Sequence, residues 1–90
     1  MEKTIRIIVK GHVQGVFFRV TAKTVAEKLG IGGTVKNNAD RSVEMILTAR
    51  EDRLDLFIAW CHQGPPRSRV ETVEVSQLAD QHFSDFRITK

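Results

Sequence analysis

The sequence predicts an α+β fold. It is a ferredoxin-like two-layer sandwich of order β-α-β-β-α-β-β, with two helices on one face of a mostly antiparallel five-stranded sheet. Three observations predict it. The chain has 90 residues, enough for a single domain spanning 1–90 and one small core. The spacing of apolar residues alternates between a period of two and a period near 3.6. A short, turn-rich link joins the second and third predicted strands, which implies an antiparallel hairpin and not a crossover.

The elements follow in order. Thr4 to Lys10 reads as a strand, with Ile5, Ile7 and Val9 alternating with Arg6, Ile8 and Lys10. Ile8 on the second face places this strand near the centre of the sheet. Gly11 breaks the run. From Phe18 the period changes, and Phe18, Ala22, Val25, Ala26 and Leu29 form one helical stripe. Gly30 is a natural stop for that helix. Thr34 to Asn37 is a short second strand, Asn38 to Arg41 a turn, and Ser42 to Thr48 a third strand with Val43, Met45 and Leu47 on one face. Leu54, Phe57, Ile58 and Cys61 mark a second amphipathic helix. Thr48, with Glu51 three residues on, has the spacing of a capping box at its start. Gly64-Pro65-Pro66 ends it. Val70 to Leu78 is a fourth strand. Its apolar residues switch faces between Thr72 and Val73, which predicts a bulge or an edge twist. Phe86 with Ile88, in preference to Phe83, gives a short last strand near the C-terminus.

Composition narrows the class of function. Hydrophobic residues are 41% and charged residues 28%, a globular mix. Lys plus Arg is 14 against 11 for Asp plus Glu, a net charge of +3. This mild basicity suits an anionic ligand but is too weak to require nucleic acid. One cysteine excludes an internal disulfide framework and any Cys-only zinc site. Three histidines without ligand spacing leave no metal site to expect. No apolar run approaches the ~18 residues of a membrane span, and Met1-Glu2-Lys3-Thr4 does not begin a signal peptide. The expectation is a cytoplasmic protein with no membrane partner, monomeric because no long exposed apolar strip stands out.

The segment with most chemical content is Gly11-His12-Val13-Gln14-Gly15-Val16-Phe17-Phe18-Arg19. A strand ends in it and a helix begins. Glycines at both ends of a tight link let the backbone curl so that several N–H groups converge. Beside a helix N-terminus, such a nest holds an anion without a basic side chain. Arg19 in the first helical turn adds a planar guanidinium able to grip two oxygens of a phosphoryl or carboxylate group. The segment is not a Walker loop, because GxxxxGK[ST] is absent.

These residues resemble the acylphosphatase signature, in which a glycine, Val-Gln-Gly-Val and a Phe-Arg pair form a phosphate loop. The resemblance continues at Leu29-Gly30-Ile31-Gly32-Gly33, at Val35-Lys36-Asn37, and at Asp40, Ser42-Val43-Glu44, Trp60 and Gly64-Pro65-Pro66. It implies a strand order of 4-1-3-2-5 and hydrolysis of acyl phosphates to a carboxylate and inorganic phosphate, with no cofactor and no metal. It implies that Arg19 binds the phosphate and that Asn37 positions the attacking water. The N–H groups of Gln14, Gly15, Val16, Phe17 and Phe18 would cradle the phosphate oxygens. The partners implied are a small acyl phosphate and inorganic phosphate, as product and inhibitor.

Three positions depart from the family pattern. Phe17 stands where many members have glycine, Thr34 where an aromatic is common, and Arg41 where a glycine usually completes the turn after Asp40. Losing that glycine is expected to strain the hairpin or to move its left-handed residue to Asn38 or Asp40. His12 is expected at the surface or packed on the loop and not as a base. Gln14 is expected to act through its backbone. Cys61 is expected as a buried apolar group, Trp60 as core or half-core packing, and Phe17 and Phe18 as part core, part pocket wall. The competing function is an anion- or RNA-binding module on the same fold without turnover. Against RNA, the chain has no tyrosine, and the third strand lacks the aromatic run of an RNA-recognition motif.

Overall fold

A computed structural model describes residues 1–90. In chain order the elements are β1 (Glu2–His12), α1 (Phe18–Lys28), β2 (Gly32–Asn37), β3 (Val43–Arg50), α2 (Glu51–Gln63), β4 (Arg69–Leu78) and β5 (Phe86–Ile88). The sheet order is β4-β1-β3-β2-β5, as the resemblance implies. Every neighbouring pair is antiparallel except β2 and β5, which run parallel.

Alternation decides which residues are buried. Ile5, Ile7 and Val9 of β1 share a face with Val43, Met45 and Leu47 of β3 and Val35 of β2, and all are buried. The helices cover this face. From α1 come Phe18, Ala22 and Ala26, whose two small alanines let the helix lie close to the sheet. From α2 come Leu54, Phe57 and Cys61. Trp60 is half-buried at the seam, its ring 5.2 Å from Phe18 and 5.6 Å from Phe57. The C-terminus of α1 is tied to α2, where Arg53 Nη1 donates to the Leu29 carbonyl at 3.0 Å.

The expected irregularity in β4 is a bulge. Lys10 faces Thr72, but Gly11 faces Val70, so Glu71 is the extra residue. This insertion returns Val70 to the helix side with Val73, and both pack against the core. A Cβ on Gly11, where φ is 129°, would run into the Arg69 carbonyl and lie 2.9 Å from the Glu71 nitrogen. The bulge therefore requires glycine here, and it carries β1 two residues beyond its predicted end.

The capping box does not form. Arg50, not Thr48, is the N-cap of α2, and no side chain caps it. Glu51 and Asp52 in the first turn favour that end electrostatically instead. Thr48 lies inside β3, opposite Thr4. Their hydroxyls bond each other at 2.6 Å, and both contact the segment after β4. Thr48 Oγ1 donates to the Gln81 carbonyl at 2.8 Å, and Thr4 Oγ1 accepts from the Gln81 N–H at 2.9 Å. A strand pairing that buries Thr4 outcompetes a local cap, because a buried hydroxyl must find partners.

Candidate active site

The link between β1 and α1, Val13 to Phe17, is pinned from below. Val13 and Val16 are buried in the core, and Phe18 follows them as the first helical residue. Between these anchors Gly15 has φ 74° and Phe17 has φ 65°. Two left-handed residues within three positions curl the chain, the kind of geometry that gathers successive N–H groups on one side. No N–H from Val13 to Phe17 donates to a backbone carbonyl. The first bond of α1 runs from Thr21 N–H to the Phe17 carbonyl at 3.1 Å, so the N–H groups of Phe18, Arg19 and Val20 precede it. The result is a run of free donors at the positive end of a helix.

Asn37 comes from another part of the chain. It is the last residue of β2, on the helix-facing side with Val35, and is paired with Val43. Its Oδ1 is buried and has no hydrogen-bond partner. Asn37 and Arg19 line one cavity of about 240 Å³ together with Val13, Gly15, Phe17, Phe18 and Val20. No carboxylate lies within ion-pair distance of Arg19, so its guanidinium is free to grip an anion. The cavity thus brings together a loop whose backbone donors are unpaired, one cation and the Asn37 side chain.

The other expected residues divide. Gly15, Phe17, Phe18 and Arg19 line the cavity, while the Val16 side chain belongs to the core. Phe18 is fully buried, but Phe17 is 71% exposed, so Phe17 is wall only and not part of the core. His12 is exposed and lines the adjoining groove with Arg41; it does not line the cavity of Arg19 and Asn37.

Gln14 has a role beyond its backbone. Its Nε2 donates to the carbonyls of Asn38 and Ser42, both at 2.9 Å. The side chain therefore clamps the β1–α1 loop to the hairpin that carries Asn37. The hairpin is cross-linked further. Asn38 N–H donates to the Ser42 carbonyl at 2.9 Å, and Asn38 Nδ2 donates to Ser42 Oγ at 3.0 Å and Glu44 Oε1 at 3.1 Å. Asp40 Oδ1 accepts from Ser42 Oγ at 2.6 Å and from Ser42 N–H at 2.9 Å. These two bonds, side chain first, hold the Asp40 carboxyl below its ordinary range, with Lys10 adding a smaller attraction. The Asp-x-Ser spacing is the sequence signal for this turn.

The left-handed residue of the hairpin is Arg41 itself, with φ 75°, and not Asn38 or Asp40. Asn38 and Asp40 are each held by their own bonds to Ser42, so the reversal stays at position 41, where the resemblance implies a glycine. The same holds at Phe17. Both departures thus leave a bulky residue in a glycine conformation.

Residues 5–88 match the acylphosphatase family profile. The chain belongs to the acylphosphatase family. It is 42% identical over 88 residues to an acylphosphatase of Alkalilimnicola ehrlichii, covering 98% of this chain and 99% of that one. It is 45% identical over 75 residues to that of Rubrobacter xylanophilus, covering 83% of this chain and 68% of the relative. The crystal structure of acylphosphatase from Bacillus subtilis superimposes with a TM-score of 0.95 at 34% identity, over 100% of both chains. The protein is a hydrolase that cleaves acyl phosphates to a carboxylate and inorganic phosphate. The alternative of a binding module without turnover is not favoured. On the open face of the sheet β3 presents Glu44, Ile46 and Thr48, which offer no stacking ring for a nucleobase.

Proposed function

We propose that the N–H groups of Gln14 to Phe18 and the Arg19 guanidinium hold the phosphoryl group, and that Asn37 Oδ1 orients the attacking water. The observation that carries this reading is that Asn37, whose buried Oδ1 has no hydrogen-bond partner, lines the same cavity as Arg19. A buried acceptor left without a donor costs about 1–3 kcal/mol. A turn of the amide that brings Oδ1 to the cavity would let a water donate to it, remove that cost and stand beside the bound phosphate.

The chemistry needs little more. An acyl phosphate is a mixed anhydride whose leaving group is a carboxylate with a pKa of about 4–5. It departs without a general acid. The water oxygen forms a bond to phosphorus as the bond to the acyl oxygen breaks, and that electron pair leaves with the carboxylate. The transition state is loose, with charge spread over three equatorial oxygens, where oriented donors and one arginine stabilise it. An uncharged amide aligns the water without repelling the phosphate. The water proton passes to a phosphoryl oxygen of the substrate.

The remaining parts of the proposal are that turnover needs no metal, that inorganic phosphate inhibits as product, and that residues 1–90 act as one monomeric domain. The compartment proposed is the cytoplasm, where a thiol such as Cys61 stays reduced. The test is hydrolysis of benzoyl phosphate. Turnover should survive EDTA and be inhibited competitively by inorganic phosphate. Arg19→Ala should lose nearly all activity. Asn37→Ala should lower kcat by at least about 100-fold and leave the inhibition constant for phosphate nearly unchanged, because its interaction is made in the transition state. Normal kcat/KM in Arg19→Ala would remove the site assignment.

A further inference from the structure

We infer that Phe17 and Val20 form an apolar platform that receives the acyl group, so that the enzyme selects acyl phosphates with aromatic or aliphatic acyl groups over those with a charged tail. The inference rests on the reading of the Arg19–Asn37 cavity as the active site.

Phe17 is anomalous in two independent ways. Its φ of 65° is a conformation that glycine adopts freely and phenylalanine does not. Its ring is 71% exposed, so burial in the fold does not offset that strain. Strain in a residue that the core does not use points to function. One helical turn on, Val20 is 58% exposed and lines the same cavity. These two are the large apolar side chains left open at the mouth of the site.

Connectivity places the acyl group near them. The backbone of Phe17 belongs to the proposed phosphate cradle. The acyl carbon is joined to phosphorus through a single oxygen, so it cannot lie more than a few ångströms from that cradle. No acidic or additional basic side chain lines this cavity besides Arg19, which the phosphate occupies. The adjoining groove, where Arg41 and His12 lie, has a separate lining. An apolar acyl group would rest on Phe17 and Val20, whereas a charged tail placed there would lose solvent without gaining a partner.

The experiment compares kcat/KM for benzoyl, acetyl and succinyl phosphate in wild type, Phe17→Asn and Val20→Asn. Asparagine tolerates the left-handed conformation at position 17, and both side chains are exposed, so the fold is not at risk. Comparing the ratio between variants cancels the intrinsic reactivity of each substrate. The benzoyl-to-acetyl ratio should fall about tenfold in Phe17→Asn, within the range that a small apolar contact supplies, and by a smaller factor in Val20→Asn. A second measurement does not depend on turnover. Phenacylphosphonate, in which a methylene replaces the bridging oxygen, should bind wild type more tightly than inorganic phosphate, and the two affinities should converge in Phe17→Asn. Unchanged ratios in both variants, or a wild type that prefers succinyl phosphate, would overturn the platform. Retained activity in Arg19→Ala would instead overturn the site on which it rests.

Discussion

The Gln14 side chain offers the sharpest test of how the site is held. It makes two bonds of 2.9 Å from one amide nitrogen, to the carbonyls of Asn38 and Ser42. Each neutral bond contributes about 1 kcal/mol net. In Gln14→Ala neither carbonyl is orphaned. Asn38 O still accepts from Arg41 N–H at 3.1 Å, and Ser42 O still accepts from Asn38 N–H at 2.9 Å. The loss should therefore be about 2 kcal/mol and not the larger cost of stranded acceptors. For a domain of this size that lowers Tm by roughly 8–16 °C. Activity should fall as well, because the clamp fixes the hairpin that positions Asn37. The expected signature is about a tenfold loss of kcat with little change in phosphate inhibition, since the substitution keeps the backbone N–H. Gln14→Glu separates hydrogen bonding from packing. A carboxylate of the same shape cannot donate and would face two carbonyl oxygens, so it should be more destabilising than alanine. Thermal melts with steady-state kinetics on all three proteins decide the matter. A glutamate variant as stable as wild type would refute the clamp.

Two further predictions concern the hairpin. Arg41→Gly should stabilise the protein by about 0.5–1 kcal/mol and raise Tm by a few degrees, because glycine accepts φ 75° and Arg41 is in no ion pair; a lower Tm would show that its side chain makes a contribution the strain does not offset. Asp40 should give an acid-sensitive contribution. Its folded pKa is depressed, chiefly by the Ser42 hydroxyl and N–H. Its stabilising effect is complete above the unfolded value of about 3.9 and disappears as pH falls through the lower folded value. Asp40→Asn should therefore be less stable than wild type at neutral pH, and the gap should begin to close below about pH 4 and vanish below the folded value. Melts over a pH series check this, and a gap independent of pH would exclude the carboxylate as its source.

Much of this was legible in the residues. Phe18, Ala22 and Ala26 mark the buried stripe of α1, and Val43, Met45 and Leu47 the buried face of β3, as their spacing predicts. Side-chain period is a local property, and both elements obey it. The Thr48 cap failed because the choice between a helix cap and a strand pair depends on Thr4 and Gln81, which are distant in sequence. The role of Gln14 was hidden for the same reason, since its acceptors are backbone carbonyls 24 and 28 residues away. The face switch in β4 was visible, but only the pairing with β1 identifies Glu71 as the inserted residue.

By itself the sequence determined the element order, the buried faces, the family pattern and the residue types of the proposed site. These follow from periodicity, turn chemistry and motif spacing, all of which act over a few residues. The tertiary structure decided the rest. It brings Asn37 to the cavity of Arg19, leaves Asn37 Oδ1 without a partner, clamps the loop to the hairpin through Gln14, and holds Phe17 and Arg41 in a left-handed conformation. Each of these depends on which surfaces meet when the sheet closes in the order β4-β1-β3-β2-β5. Strand pairing and core packing fix those meetings, and no local spacing encodes them.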